Sequence, residues 1–136
     1  MIAAVTRASS RVPVVATGIG VAAAAVVLRV GDPAAGGFPR CPFHAATGLY
    51  CPGCGSQRGL HALLTGDIPA AFGYNAFMVL ALPFLFYVYV SWAARSFDGP
   101  ALPTMHPPVW FLKVLPPLVM AFWVTRNLPF GHALAP

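Results

Sequence analysis

Two long runs without a charged residue limit what this 136-residue chain can fold into. The stronger run extends from Ile68 to Ala94, and a shorter one extends from Val12 to Leu28. About 20 apolar residues in a helix cross the hydrocarbon core of a bilayer, so both runs predict transmembrane helices. Only 8% of the residues are charged, against about 25% in soluble domains. A water-soluble globule is therefore excluded as the leading class.

A third apolar segment, from Val109 to Thr125, contains Lys113 near one end and two adjacent prolines. A lysine near the end of a span can extend its ammonium group to the interface, and prolines bend a membrane helix without forbidding it. We therefore predict an all-α integral membrane protein with three spans. The predicted segments are a basic tail (1–11), a first span (12–30), a cysteine-rich loop with an interfacial helix (31–67), a second span (68–95), a loop (96–108), a third span (109–128) and a tail (129–136).

The first apolar run has a second interpretation as a cleavable signal peptide, because Arg7 and Arg11 precede it. Its 17 residues exceed the apolar region of about 7–15 residues in signal peptides, which favours a retained helix. Basic residues before the first span favour a cytoplasmic N-terminus and an external cysteine-rich loop. The basic residues are scattered, which argues against nucleic acid. We expect the lipid bilayer as a partner, with a membrane protein or a second copy of the chain as further candidates.

All three cysteines lie in the first loop. Together with His44 they form two pairs of equal spacing, Cys41-x-x-His44 and Cys51-x-x-Cys54. A two-residue gap lets both side chains of a pair point at one centre from a tight turn, as in structural zinc sites. We therefore predict zinc bound by these four residues, with His61 as an alternative ligand. A structural disulfide, a redox-active Cys51–Cys54 pair and buried thiols without a shared bond are the alternatives, and none of them uses a cofactor.

The segment after the cysteines has the pattern of a short amphipathic helix. Ser56 is expected to cap its start and Gly66 to end it, with leucines on one face. Arg58 and His61 are three residues apart and therefore neighbours on the polar face. We interpret them as a contact for an anion or a lipid head group, or as polar residues solvated at the interface.

Three further residues are predicted to shape the site. Gly55 supplies the permissive backbone that a tight turn after the cysteines needs. Asp67 is expected to cap the second span. Asn75 lies within that span, where a buried amide needs partners, so we expect it to bond to the cysteine-rich loop or to cap a restarted helix.

The string CPFHAATGLYCPGCGSQRGLHALLTGDIPAAFGYNAF resembles the DUF2752 family of small bacterial membrane proteins of unknown function. The matching elements are Cys41-Pro42, Thr47-Gly48, the run Cys51–Gly55, Arg58, Gly66-Asp67 and Asn75. The sequence departs from the family pattern at Ala76, where a proline is usual, and His44 lies outside that pattern. The resemblance implies a multi-pass protein of the bacterial inner membrane and implies no activity.

The chain has few groups for acid–base chemistry, and its sequence contains no Ser-His-Asp pattern, paired carboxylates or glycine-rich phosphate loop. We therefore expect a small accessory or scaffold protein, not an enzyme, whose loop is held by zinc or a disulfide and docks a partner or lipid. The alternative is a membrane thiol–disulfide oxidoreductase that uses Cys51 and Cys54, with Cys41 as a resolving thiol.

Overall fold

The computed structural model describes the backbone of residues 2–100, 102–103 and 108–134, and the side chains of residues 11–100, 102–103 and 108–131. The described residues form helices and connecting turns, without strands. The elements are α1 (Ile2–Val30), a short turn (Pro33–Ala35), α2 (Pro42–Thr47), α3 (Ser56–Thr65), α4 (Ile68–Ser96), α5 (Val109–Arg126) and a tail turn (Pro129–Leu134). Among them, α1, α4 and α5 are long and apolar enough to cross a membrane. The predicted all-α, three-span architecture is confirmed.

The large apolar side chains of these spans point mostly outward, as lipid-facing residues do. Val21, Phe86 and Trp110 are each more than 60% exposed. Among the described side chains, the buried apolar ones are few and mostly small, whereas two of the most deeply buried are polar, Asn75 and Arg126. Polar groups inside a membrane protein are expensive unless they are satisfied, so these two mark where the interior is organised.

Helix α4 consists of two helical parts joined at Asn75, which has extended backbone angles (φ −162°, ψ 88°). Its start is capped by Asp67, whose side chain accepts a hydrogen bond of 3.0 Å from the backbone N–H of Ala70. The part after the break, residues 76–96, rises about 32 Å at about 1.5 Å per residue, which matches a bilayer core of about 30 Å. The part after the break is therefore long enough to cross a bilayer core by itself.

Helix α3 packs against the end of α1 and the start of α4. His61 donates from Nδ1 to the carbonyl of Leu28 at 2.6 Å, which fastens α3 to α1. Gly59 is buried, and a Cβ there would lie 2.8 Å from Met78 Cε, so α3 and α4 approach each other closely at this point. The expectation that Ser56 caps α3 is wrong. Gly55 holds that position with a φ of 84°, a left-handed conformation that favours glycine.

The two ends of the helix bundle are fixed by different contacts. At one end, Arg11 of α1 donates to Asp98 at 2.9 Å and to the carbonyl of Ser96 at 3.1 Å, just beyond and at the end of α4. At the other end, α5 finishes beside the loop that carries the cysteines. Between the ends, α5 meets α4 through the stacked rings of Phe77 and Phe122, whose centroids are 5.8 Å apart.

Candidate metal centre

The three cysteines converge on one point. We call Cys41, Cys51 and Cys54 the cysteine trio. Their Sγ atoms all lie within 4.8 Å of one another. Cys51 is central, because its Sγ is 3.0 Å from that of Cys54 and 3.5 Å from that of Cys41. The backbone N–H of Cys51 also donates to Cys54 Sγ at 3.1 Å. Three sulfur atoms are thus available to a single ion.

A chain reversal brings Cys41 next to the other two cysteines. Cys41 immediately precedes the one-turn helix α2, which ends at Gly48 in a left-handed conformation (φ 73°). Thr47 Oγ1 donates to the Phe43 carbonyl at 2.7 Å and accepts from the N–H of Leu49 at 3.2 Å. These bonds turn the chain back, so the second cysteine pair meets the first. The Cys51–Gly55 segment then forms a tight turn, which we call the cysteine turn, closed by the Cys54 N–H donating to the Cys51 carbonyl at 3.1 Å.

Asn75 supports the cysteine turn from the break in α4. Its Nδ2 donates to the carbonyls of Pro52 at 2.9 Å and Cys54 at 3.2 Å, and to Ser56 Oγ at 3.0 Å. Its Oδ1 accepts from the N–H of Met78 at 3.0 Å and so caps the second part of the helix. A single amide therefore joins the turn to the second span.

Arg126, the last residue of α5, reaches the same turn from the other side. It is 1% exposed and donates to the carbonyls of Cys51 at 3.0 Å and Cys54 at 3.2 Å, with longer bonds of 3.4 Å to Pro52 and Tyr74. Its guanidinium carbon also lies 5.0 Å from the ring centroid of Phe122. Among the described residues it pairs with no carboxylate, so its charge is surrounded by carbonyl dipoles and aromatic rings.

The next residue, Asn127, bonds to the loop in both directions. Its Oδ1 accepts from the Tyr50 N–H at 2.8 Å, and its Nδ2 donates to the Tyr50 carbonyl at 2.8 Å. The same Nδ2 donates to the Trp123 carbonyl at 2.8 Å. Asn127 thus pairs with the backbone of Tyr50 as a neighbouring strand would.

The thiols of the trio differ in how readily they ionise. The pKa of Cys41 is lowered from its usual value of 9.0, mainly because the backbone N–H of His44 donates to its sulfur. Burial, together with hydrogen bonds to the neighbouring thiols of Cys51 and Cys41, raises the pKa of Cys54 to about 12. The thiol of Cys41 therefore ionises more readily than the buried thiol of Cys54.

The histidines of the predicted site lie elsewhere. The ring of His44 stacks on Tyr50, with centroids 4.5 Å apart and planes 11° apart, and its buried Nδ1 has no partner among the described residues. His61 uses Nδ1 to bond to Leu28. The ligand atoms within 4.8 Å of one another come from the cysteines, and neither histidine is among them. The structure assembles three of the four predicted ligands.

Three other predicted site residues, Arg58, His61 and Gly66, lie on α3 or at its end. Arg58 is exposed on α3, whereas His61 is turned toward α1, so the two are not equally available to an anion. Gly66 ends α3 in a left-handed conformation (φ 89°).

Comparison with known protein families relates part of the chain to one of them. Residues 41–89 match the model of a family described as a protein of unknown function, DUF2752. Over this segment the chain is similar to the DUF2752 family. Searches of the curated proteins and of the solved structures found no match.

The DUF2752 segment holds all three cysteines and Asn75, but it ends before α5. Arg126 and Asn127, which bond to the cysteine loop, come from beyond it. Sequence reasoning missed both, because Arg126 looks like an ordinary cation at the end of a span. The one sequence signal that could have pointed to them is that Arg126 and Asn127 form a polar pair directly after an apolar segment that contains prolines.

Proposed function

We propose that this protein is a small membrane protein in which the cysteine trio binds one zinc ion, which fixes the loop at one membrane face as a docking surface. The observation that carries the proposal is the convergence of three Sγ atoms within 4.8 Å. A loop with little apolar core gains its order from such an ion, since metal-binding energy becomes folding energy.

The donor set fits a soft divalent ion. Thiolates favour zinc and other soft metals, whereas magnesium and calcium prefer oxygen. Sulfur atoms that sit about 2.3 Å from a tetrahedral zinc lie about 3.8 Å from one another. The Sγ–Sγ separations of 3.0 and 3.5 Å around Cys51 need only small side-chain adjustments to reach that spacing.

The charge around the trio also supports a metal–thiolate centre. A divalent ion with three thiolates carries a net charge of −1. The buried Arg126 guanidinium, bonded to the carbonyls of Cys51 and Cys54, brings one positive charge beside it. A buried charge is costly unless it is paired, so a negatively charged centre would compensate a cation that has no carboxylate partner among the described residues.

For the fourth coordination position we propose His44, with His61 as the alternative. Either ring would have to leave its present contact, His44 from Tyr50 and His61 from the Leu28 carbonyl. Substituting His44 and His61 one at a time distinguishes the two candidates, because only the variant that loses a true ligand will bind zinc more weakly.

The proposed docking surface lies on the loop beside the trio. Phe43 and Leu49 are about 40% exposed there, and Arg58 is exposed on α3. Apolar and basic side chains together at a membrane boundary suit a lipid head-group region or a membrane-protein partner. Arg58 is the residue proposed to contact an anion or a lipid phosphate.

Metal analysis of the purified protein tests the proposal. We expect about one zinc per chain, and loss of most of it in Cys41→Ser, Cys51→Ser and Cys54→Ser. Gln57→Ala, an exposed position in the same region, should keep full stoichiometry and serves as the control. A protein without zinc, in which all three thiols react under native non-reducing conditions, would contradict it.

The second candidate is a membrane thiol–disulfide oxidoreductase, favoured by the 3.0 Å approach of Cys51 and Cys54. A disulfide between them would accept two electrons and two protons from a client dithiol, which would itself become a disulfide while both thiols are regenerated. In the opposite direction, the Cys51 thiolate would attack a client disulfide, and Cys41, 3.5 Å from Cys51, would resolve the mixed disulfide by forming a Cys41–Cys51 disulfide and releasing the client as a dithiol. Trapping of a client on Cys51 in a Cys41→Ala, Cys54→Ala double variant, which lacks both resolving thiols, would place this function above zinc binding when the client is identified by mass spectrometry.

A further inference from the structure

We infer that the third span is part of the metal site, so that metal binding at the cysteine trio and docking of the C-terminal end of α5 stabilise each other. Arg126 and Asn127 are positioning residues in this proposal and do not themselves contact the ion. The inference rests on the proposed function, because it assumes that the trio binds a metal.

The bonds that join α5 to the loop go to the backbone that carries the ligands. Arg126 donates hydrogen bonds to the carbonyls of Cys51 and Cys54, which lie more than 70 residues earlier in the chain. Asn127 holds both the N–H and the carbonyl of Tyr50, the residue directly before Cys51. The conformation from Tyr50 to Cys54 is thus fixed by α5 on one side and by Asn75 on the other.

The attachment of α5 depends in turn on the loop. Near its C-terminal end the helix contacts the loop through these polar bonds and through Trp123, whose ring meets that of Phe43 edge-on with centroids 6.0 Å apart. A loop that unfolds when its metal leaves would lose the Cys51 and Cys54 carbonyls that accept from Arg126, and the Tyr50 N–H and carbonyl that bond to Asn127. Coupling between two binding events is reciprocal, so α5 must strengthen metal binding to the same extent.

Asn127→Ala tests the coupling without touching a cysteine or the buried charge. Thr125→Val is the matched control, since the Thr125 hydroxyl bonds within its own helix, to the Ala121 carbonyl at 2.7 Å. Asn127→Asp keeps the acceptor for the Tyr50 N–H and loses the donor to its carbonyl. Zinc stoichiometry and affinity are measured by chelator competition on the full-length protein in detergent, with hydrogen exchange of residues 41–55 and 120–131 followed in the same samples.

We expect zinc affinity to fall about 10- to 100-fold in Asn127→Ala, the range seen when groups that orient metal ligands are removed. Asn127→Asp should fall between this variant and the wild type, while Thr125→Val stays within about twofold and stoichiometry stays at one throughout. Chelation should speed exchange in both regions of the wild type, but only in residues 41–55 of Asn127→Ala, where α5 is already uncoupled.

Two results would overturn the inference in different ways. If zinc binds normally but Asn127→Ala changes neither affinity nor the response of residues 120–131 to chelation, the coupling is absent and the proposed function stands. If the wild type binds no zinc, the proposed function fails and the coupling fails with it.

Discussion

Asn75 donates a hydrogen bond of 3.2 Å to the Cys54 carbonyl, and the same side chain accepts one of 3.0 Å from the N–H of Met78. The break in α4 and the shape of the cysteine turn are therefore set by one residue, which is 1% exposed. A helix break in a membrane protein frees backbone groups that need partners, and here the side chain at the break supplies one of them while it holds the turn.

Replacement of Asn75 should destabilise the protein strongly. Asn75→Ala removes the cap of the second helical part, which costs about 1 kcal/mol, and leaves buried acceptors of the turn without a donor, which costs about 1–3 kcal/mol. Asn75→Asp retains the cap but cannot donate, so it separates the two contributions. Thermal unfolding in detergent measures both, with Gln57→Ala as the control. Equal midpoints for Asn75→Ala and the control would show that the amide does not support the turn.

The zinc-free protein should show an ordered reaction of its thiols with an alkylating reagent. The lowered pKa of Cys41 makes its thiolate available below pH 9.0, whereas Cys54, with a pKa of about 12, stays a neutral thiol there. Raising the pH through this range should therefore label Cys41 before Cys54. Peptide mapping after brief alkylation at a series of pH values measures the order, and early labelling of Cys54 would contradict it.

The pKa shifts of Cys41 and Cys54 make the stability of the folded protein depend on pH in opposite directions. A folded-state pKa below that of the unfolded chain, as at Cys41, adds stability above pH 9.0 that is lost as the pH falls through the folded value. The raised pKa of Cys54 works the other way, so its contribution is lost as the pH rises from 9.0 towards about 12. Stability of Cys54→Ala should consequently fall less in that alkaline range than stability of the wild type.

How far the sequence could predict this structure depends on the range of each interaction. The spans follow from uncharged runs, a property of neighbouring residues, and the approach of Cys51 to Cys54 follows from their spacing. His44 has the same spacing from Cys41, but its ring stacks on Tyr50 instead of joining the sulfur atoms. Spacing places two residues in one turn, while packing against a third residue decides where each side chain points.

Contacts between residues far apart in the sequence could not be predicted for a second reason. Arg126 and Asn127 bond to residues more than 70 positions away, and only the return of α5 to the membrane face of the loop brings them there. A cation at the end of a span is normally explained by the water it faces. The neighbouring residues in the sequence do not distinguish a buried cation such as Arg126 from a water-facing one. Its burial can therefore be seen only in the folded structure.

Gly131 should tolerate no side chain. A Cβ there would overlap the carbonyl oxygen of Thr125 and lie 3.0 Å from Arg126 Cα, because the tail turn packs directly on the end of α5. We expect Gly131→Ala to cost about 1–3 kcal/mol as an overpacked site and to loosen the region around Arg126. Gly20→Ala is the matched control, since a Cβ at that position of α1 meets nothing within 4 Å. Thermal unfolding and hydrogen exchange of residues 120–131 compare them, and equal stability would show that the tail turn does not pack as described.

The final prediction concerns the membrane side of the site. Three spans place the chain's two ends on opposite sides, and the cysteine trio must share a side with the C-terminal end because Arg126 bonds to its backbone. With the predicted cytoplasmic N-terminus, a C-terminal tag should be cleaved by protease added to spheroplasts, and an N-terminal tag only after the spheroplasts are lysed. Tags cleaved together would contradict three spans, whereas the reversed pattern would keep the spans and reverse the orientation. The reversed orientation would also favour zinc, because thiols on the cytoplasmic side stay reduced and free to bind a metal.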